Sequence, residues 1–467
     1  MAAHMVSLPP LDLKTANLNR FERAMTDPRW QTGAVGRAFA AASQSARSQL
    51  QQTDPHVDAL TTVATSVAAP LVTAYVQWVL TQAARHGITR LYFLAREGQI
   101  MYRVAKMFQA RWQLPVHLQY LFCSRKSLNH VLLSTVSPDD MRWALTHAQG
   151  HSLRRLLSRL SLCPEDLGEL LNTAGFTASR WDVPLDSKDQ ERVIALLLGS
   201  DVAPLIEAKA KAARALLEDY LAQVQFFDDS LCGVVDSGGM GSQIRTLDKI
   251  KRTRGGHGVR GFVIWRTGDP LLAAGDGPVI DTYCRDATCH GAHQSLKGLW
   301  QLSEVFCAAD HGEVVGYERH DAQVRPVLQM NRRARIREWG IDRVQLSICT
   351  ATEAVLSTPI SPELFDQVDL SPLVQALMGL LWHAPTRDEA AAWGAFPWEH
   401  DATAAEIPLG PPVGWRDLLT IVRRAPWQDP IWWAASETRS PAYIRAILRV
   451  GRLAPRPVRR VLRGRAE

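Results

Sequence analysis

The sequence predicts an α/β protein: a mostly parallel sheet, interrupted by a large all-helical insertion and followed by a helical C-terminal region. Three observations lead there. The segment Leu91-Tyr-Phe-Leu-Ala-Arg-Glu-Gly98 starts as an apolar run of strand type, meets an acidic residue and breaks at glycine into a helical pattern. Val234-Val-Asp-Ser-Gly-Gly-Met-Gly-Ser-Gln243 does the same. Between them, from about residue 137 to 228, apolar positions keep helical spacing almost throughout. Turns of this strand-to-helix kind, at the carboxyl ends of strands, are where α/β enzymes hold phosphorylated ligands.

Taken in order, residues 1–56 read as a polar N-terminal arm with short helices, and Met1-Ala-Ala-His as an expression scar ahead of a natural start at Met5. Residues 57–136 form the first part of the core. Leu60, Val63, Val67, Leu71, Ala74 and Trp78 mark one long helix over 57–86, ended by Gly87. A strand over 89–94 follows, then a helix over 98–111 and an alternating strand over 116–122. The insertion spans 137–228, with start signals at Ser137-Pro-Asp-Asp and Pro164-Glu-Asp. The second part of the core, 229–325, opens with a strand over 231–235. A helix over 241–252, a Gly255-Gly-His-Gly258 turn and a strand over 259–265 come next, and one more helix lies near 295–308. Residues 326–440 are mainly helical with proline-rich connectors, and 441–467 form an arginine-rich tail.

Composition narrows the class. With 46% hydrophobic and 21% charged residues the chain is globular, not disordered. No run of about 18 apolar residues occurs, so no spanning helix is expected. Seven scattered cysteines and the lack of a secretory pattern point to a cytoplasmic protein, with contact to the inner face of the membrane open through the tail. The net charge of +6 is local. Residues 441–467 hold eight arginines and one acid, a sum of +7, which leaves −1 for everything before them. A general basic surface is therefore absent, and nucleic acid is not an expected partner.

Each turn offers chemistry. Arg96 presents a planar fork suited to phosphate, Gly98 lets the chain turn tightly, and Glu97 is placed to bind Mg²⁺ or to deprotonate a hydroxyl. An ordinary turn with a surface ion pair would carry the same residues. In the second turn Gly238, Gly239 and Gly241 allow main-chain N–H groups to close on a phosphate, with Ser237, Ser242 and Gln243 alongside. Asp236 stands where an acid accepts from vicinal sugar hydroxyls. The spacing is neither a dinucleotide fingerprint nor a P-loop. Ser124 and Arg125, in Cys123-Ser-Arg-Lys-Ser127, join the same anion pocket if their strand neighbours the first. Glu304 is a single acid on an apolar helical stretch, costly there unless paired or working, and Asp310-His311-Gly312 follows it closely. The run Cys284-x4-Cys289-His290-x2-His293 matches no standard closed zinc site.

These motifs resemble, in content and order, one group of bacterial proteins from polysaccharide and natural-product clusters, often labelled haloacid-dehalogenase-like hydrolases. The residues concerned are Tyr92 to Gly98, Cys123 to Leu128, Val235 to Gln243, Ser303 to Ala309, His311-Gly and Gly316-Tyr317. The resemblance covers roughly residues 85–320. It implies a phosphoribosyltransferase-like fold and transfer of 5-phosphoribose from phosphoribosyl diphosphate to a hydroxyl of a glycan or small glycoside, with inversion. On that reading the Gly238–Ser242 loop holds the 5-phosphate and Asp236 the ribose hydroxyls. Arg96, the Glu97–Gly98 backbone and Arg125 hold the diphosphate with Mg²⁺, while Glu304 or Glu97 is the base. This chain has Glu97 where the group has Asp and Gly239 where it has Trp. It also lacks any Asp-x-Asp nucleophile motif, which argues against a phosphatase and implies that a separate phosphatase finishes the product. Two other readings stay open: a glycosyltransferase with another activated sugar donor, and a non-catalytic scaffold of a polysaccharide-assembly complex.

Overall fold

Five strands hydrogen-bond side by side in the order β2-β1-β3-β4-β5, and every pairing is parallel. They are β1 Arg90–Leu94, β2 His117–Leu121, β3 Cys232–Gly239, β4 Val259–Arg266 and β5 Ile280–Thr282. The computed structural model describes residues 17–128, 130–133, 136–138, 141, 151–266, 277–284, 298–399, 406–422 and 429–453. The strand order reverses direction between β1 and β3, which makes their carboxyl ends a topological switch point of a Rossmann-like sheet.

Side chains alternate across this sheet and are buried on both sides, as a parallel sheet requires. Leu91, Phe93, Val235, Phe262 and Ile264 enter one hydrophobic cluster; Tyr92, Leu94, Val234 and Val263 enter another. The first cluster is roofed by helices Pro55–Arg85, Gly98–Trp112 and Ile341–Leu356, the second by Ala203–Gln223 and Ser242–Thr253. Burying one such large apolar side chain stabilises the fold by about 1.5–3 kcal/mol.

The helix expected over 57–86 runs from Pro55 to Arg85, capped by Asp54 and widened by a π turn at Ala64–Ala68. By length and mean hydropathy it would suffice to cross a membrane, but 94% of its apolar window is buried inside the protein. It is a core helix here. Residues expected as an arm with short helices include Gly33–Gln49, a helix of 17 residues whose Val35, Phe39, Ala42 and Ala46 pack into the main core. Small residues on that face, which read as polar and mixed in sequence, are what allow the close approach.

Between β2 and β3 the described chain is helical and has a core of its own, built from Leu153, Leu156, Leu157, Phe176, Val193 and neighbours. Ser152 caps helix Leu153–Ser158, Asp186 caps Ser187–Leu197, and Pro164–Leu167 is a 3-10 turn. Most of the start signal at Ser137–Asp140 lies outside the described residues. β3 extends further than expected, through Asp236 and Ser237 to Gly239, where the sequence puts the strand's end at Val235. The glycines cause this: an added Cβ on Gly238, at φ 148°, would stand 2.3 Å from the Trp265 carbonyl oxygen, so only glycine lets β3 stay against β4 there. Beyond the sheet lie two antiparallel pairs, β6 Val314–His320 with β7 Gln323–Leu328, and β8 Pro397–Glu399 with β9 Glu406–Pro408, among further helices.

Candidate functional site

β1 and β3 are hydrogen-bonded neighbours, so the two strand-to-helix turns lie side by side at the switch point. Their means of support differ. After β1 the chain passes through Arg96 at φ 73°, a left-handed conformation that costs a residue with a Cβ about 1–3 kcal/mol unless its surroundings impose it. Here they do. The Arg96 N–H donates to the Tyr120 hydroxyl (3.1 Å), which lies 2.7 Å from His311 Nε2, and His311 Nδ1 lies 2.8 Å from the Gly312 carbonyl oxygen. A carbonyl only accepts, so Nδ1 carries the proton and Nε2 accepts from Tyr120. Burial, the largest influence, pulls the His311 pKa down and favours this neutral form. Burial likewise raises the Tyr120 pKa, keeping its proton in place. Gly98 then opens helix Gly98–Trp112; a Cβ on it would meet the Phe93 backbone at 2.9 Å.

The Arg96 guanidinium pairs with Glu97 at 3.3 Å, both only partly accessible. The charge of Glu97 is the main reason that the Arg96 pKa is raised, and the charges of Glu313, Glu304 and Glu399 add to it. Glu304, on helix Leu299–Phe306, thus stands within electrostatic reach of Arg96. Glu399 is also tied to Arg155 of the helical block at 3.5 Å. Asp236 is 5% exposed and its backbone N–H neighbour Ser237 donates to its Oδ1 at 2.7 Å. Burial first, and the Glu97 charge second, push its pKa up to about 7, while the Ser237 N–H, Arg125 and Arg96 pull the other way. The end of β3 is fixed from beneath by Tyr75, whose hydroxyl proton is shared between the carbonyls of Asp236 (2.9 Å) and Phe262 (2.8 Å).

The second turn is open where the first is closed. A Cβ on Gly239, at φ 102°, would meet nothing within 4 Å. Gly241, at φ 74°, precedes helix Ser242–Thr253 without a side-chain cap. The first N–H groups of that helix therefore keep donor capacity for an anion. Among the described residues, Gln243 Oε1 and Arg245 Nε are buried with no hydrogen-bond partner. Arg266 lies beside Gly239 in the sheet register. Burial, and then the nearby Arg266 charge, lower the Arg245 pKa.

The structure thus brings together Arg96, Glu97, Gly98, Asp236, Ser237, Gly238, Gly239, Gly241, Ser242, Gln243 and Glu304 at one end of the sheet, with the exposed Arg125 within reach of Asp236. Ser124 is used differently. Its hydroxyl donates to the Val314 carbonyl at 2.6 Å and it is buried, so it fastens β6 to the turn after β2. Sequence reasoning missed Tyr75, Tyr120, Arg245, Arg266, Glu313 and Glu399. Arg266 carries the same signal as Arg96, a cation at a strand's carboxyl end, whereas the tyrosines sit in apolar patterns that look like plain core. Of the Cys/His run, Cys284 is buried, and Cys289, His290 and His293 lie outside the described residues. Among the described residues no group of three or more His, Cys, Asp or Glu side chains gathers into a metal cage. Mg²⁺ needs no such cage, since one or two carboxylates plus substrate phosphates hold it. The carboxylates around Arg96, those of Glu97, Glu313, Glu304 and Glu399, are of the donor type such an ion takes. Neither a family model nor a curated protein matches this chain.

Proposed function

We propose that this chain is a glycosyltransferase moving 5-phosphoribose from phosphoribosyl diphosphate to a hydroxyl of a glycan or small glycoside. The observation that carries the reading is the pairing of β1 with β3, with a charged turn after one and an open glycine turn after the other. A ligand with a phosphate at each end fits such a pair. In this reading Gly239, the first turn of helix Ser242–Thr253, Arg245 and Arg266 take the 5-phosphate. Asp236 accepts from the ribose hydroxyls, and Arg96 with Arg125 takes the diphosphate. Glu97, with the diphosphate oxygens, would hold Mg²⁺, which when bound supplies positive charge that neutralises the leaving group.

The C1–O bond to diphosphate breaks and the leaving group keeps the electron pair. The acceptor oxygen bonds to C1 from the opposite face, inverting the anomer, and its proton passes to Glu304 or Glu97. Donors fixed in advance where charge develops lower such a barrier, and losing one typically costs about 10²–10³ in rate. The helical block between β2 and β3 borders the acceptor side through the Arg155–Glu399 pair. The product keeps its 5-phosphate, so a separate phosphatase acts next.

Isothermal titration with phosphoribosyl diphosphate and Mg²⁺, beside Asp236→Ala, tests this. Saturable binding, weakened in the variant, is the expected result. No heat with either protein would sink the phosphoribosyl reading and turn attention to other activated sugars.

A further inference from the structure

Helix Ala203–Gln223 packs against strand β6, and a slot of about 260 Å³ remains between them. One wall is a single helix face, since Lys209 is followed three and four residues later by Ala212 and Ala213. The other wall is β6 with Gly316, and His130 and Ser161 also line the space. The slot exists because these walls are small. A Cβ on Gly316 would meet nothing within 4 Å, so a larger residue would occupy space that the glycine keeps open. Gly316 does not have a positive φ, so the backbone itself does not require glycine there. An apolar cavity of about 150 Å³ accepts a benzene ring, which gives this one room for a ring and its substituents.

The polar groups of the slot say what fits. His130 is 3% exposed, and burial pushes its pKa down to about 4, so the ring is neutral. A neutral imidazole donates from one nitrogen and accepts at the other. Among the described residues one hydroxyl serves both, with Ser161 Oγ 3.1 Å from Nε2 and 3.5 Å from Nδ1. The longer distance is at the limit of a hydrogen bond, so one ring nitrogen lacks a good partner. A ligand hydroxyl both donates and accepts, and would supply that partner whichever nitrogen carries the proton. Lys209 is already paired, its Nζ donating to Asp166 at 2.8 Å and to the Ser161 carbonyl at 3.3 Å. An ionic ligand would therefore find no uncompensated charge to meet its own.

We propose that this slot is a second ligand site, taking an uncharged, mostly apolar ring whose hydroxyl completes the hydrogen bonding of His130. Binding there does not depend on the donor held at the sheet edge, so it is tested without one. Fluorine-relaxation NMR follows 4-fluorophenol, fluorobenzene and 4-fluorobenzoate with the full chain. 4-Fluorophenol should bind saturably and roughly fivefold tighter than fluorobenzene, as one added hydrogen bond allows. 4-Fluorobenzoate should bind weakest of the three. Gly316→Leu fills the slot from β6 and Ala212→Leu, at an exposed position, from the helix. Each should abolish binding while keeping the wild-type circular dichroism. His130→Phe should leave fluorobenzene bound and remove the preference for 4-fluorophenol. No saturable binding of 4-fluorophenol overturns the proposal, as does binding unchanged in both leucine variants. A preference for 4-fluorobenzoate over 4-fluorophenol would overturn the uncharged ligand class.

Discussion

The two turns at the switch point solve one geometric problem in opposite ways. After β1 the reversal is made by a residue with a side chain, Arg96, forced into a left-handed conformation and held by Tyr120 and His311. After β3 it is made by Gly239 and Gly241, at φ 102° and 74°, and near them Gln243 Oε1 and Arg245 Nε have no hydrogen-bond partner. The first turn is prebuilt and charged; the second is open. Strain held by a network and freedom left by glycine are complementary routes to a binding site.

The comparison breaks most readily at Gly238. Gly238→Ala drives a Cβ into the Trp265 carbonyl and should cost more than about 4 kcal/mol or abolish folding. Gly239→Ala, with open space around it, should cost about 1–3 kcal/mol from backbone strain alone. Denaturant unfolding of the two variants distinguishes them, and equal losses would contradict the assigned roles.

Asp236 gives the next largest effect and depends on pH. Its pKa rises from 3.8 to about 7 on folding, so between those values the native state holds more protons than the unfolded state. Stability from this group is fully present below pH 3.8 and is lost as pH rises toward 7. Each pH unit of that window is worth about 1.4 kcal/mol, so Asp236→Asn should be more stable than wild type by up to about 4 kcal/mol above pH 7. The advantage should vanish near pH 4. Thermal unfolding across pH checks it; a variant less stable at high pH would show that the carboxylate is structural.

Smaller effects sharpen the contrast. Tyr120→Phe leaves the Arg96 N–H and His311 without their partner and should cost about 1–3 kcal/mol by denaturant unfolding. Arg245→Gln or Arg266→Gln should barely change stability but loosen a phosphorylated donor roughly tenfold by titration, as loss of a charge-assisted bond does. A large stability loss there would make these arginines part of the scaffold.

How much of this was legible in the sequence follows the same division. Glycines announce a turn because few other residues survive there, so the β3 turn and Asp236 stood out, as did Arg96-Glu97-Gly98. The parallel α/β sheet was legible for a similar reason, since apolar runs that break at glycine repeat along the chain. The support beneath was hidden. Tyr75 and Tyr120 look like core because their rings are core, and only their hydroxyls meet polar partners. Glu313 and Glu399 reach the site through packing of distant segments, which periodicity does not encode. Helix Gly33–Gln49 reads as part of a polar arm because its buried face, apart from Val35 and Phe39, is made of Ala, Gly and Ser.

The central claim is that the two turns hold opposite ends of one ligand. Isothermal titration with two fragments, ribose 5-phosphate and Mg²⁺–diphosphate, against Arg96→Gln and Arg245→Gln tests it most directly. A crossed pattern is expected: Arg245→Gln weakens ribose 5-phosphate and spares diphosphate, while Arg96→Gln does the reverse. Equal weakening of both fragments by both variants, or no binding of either fragment to the wild type, would contradict the account.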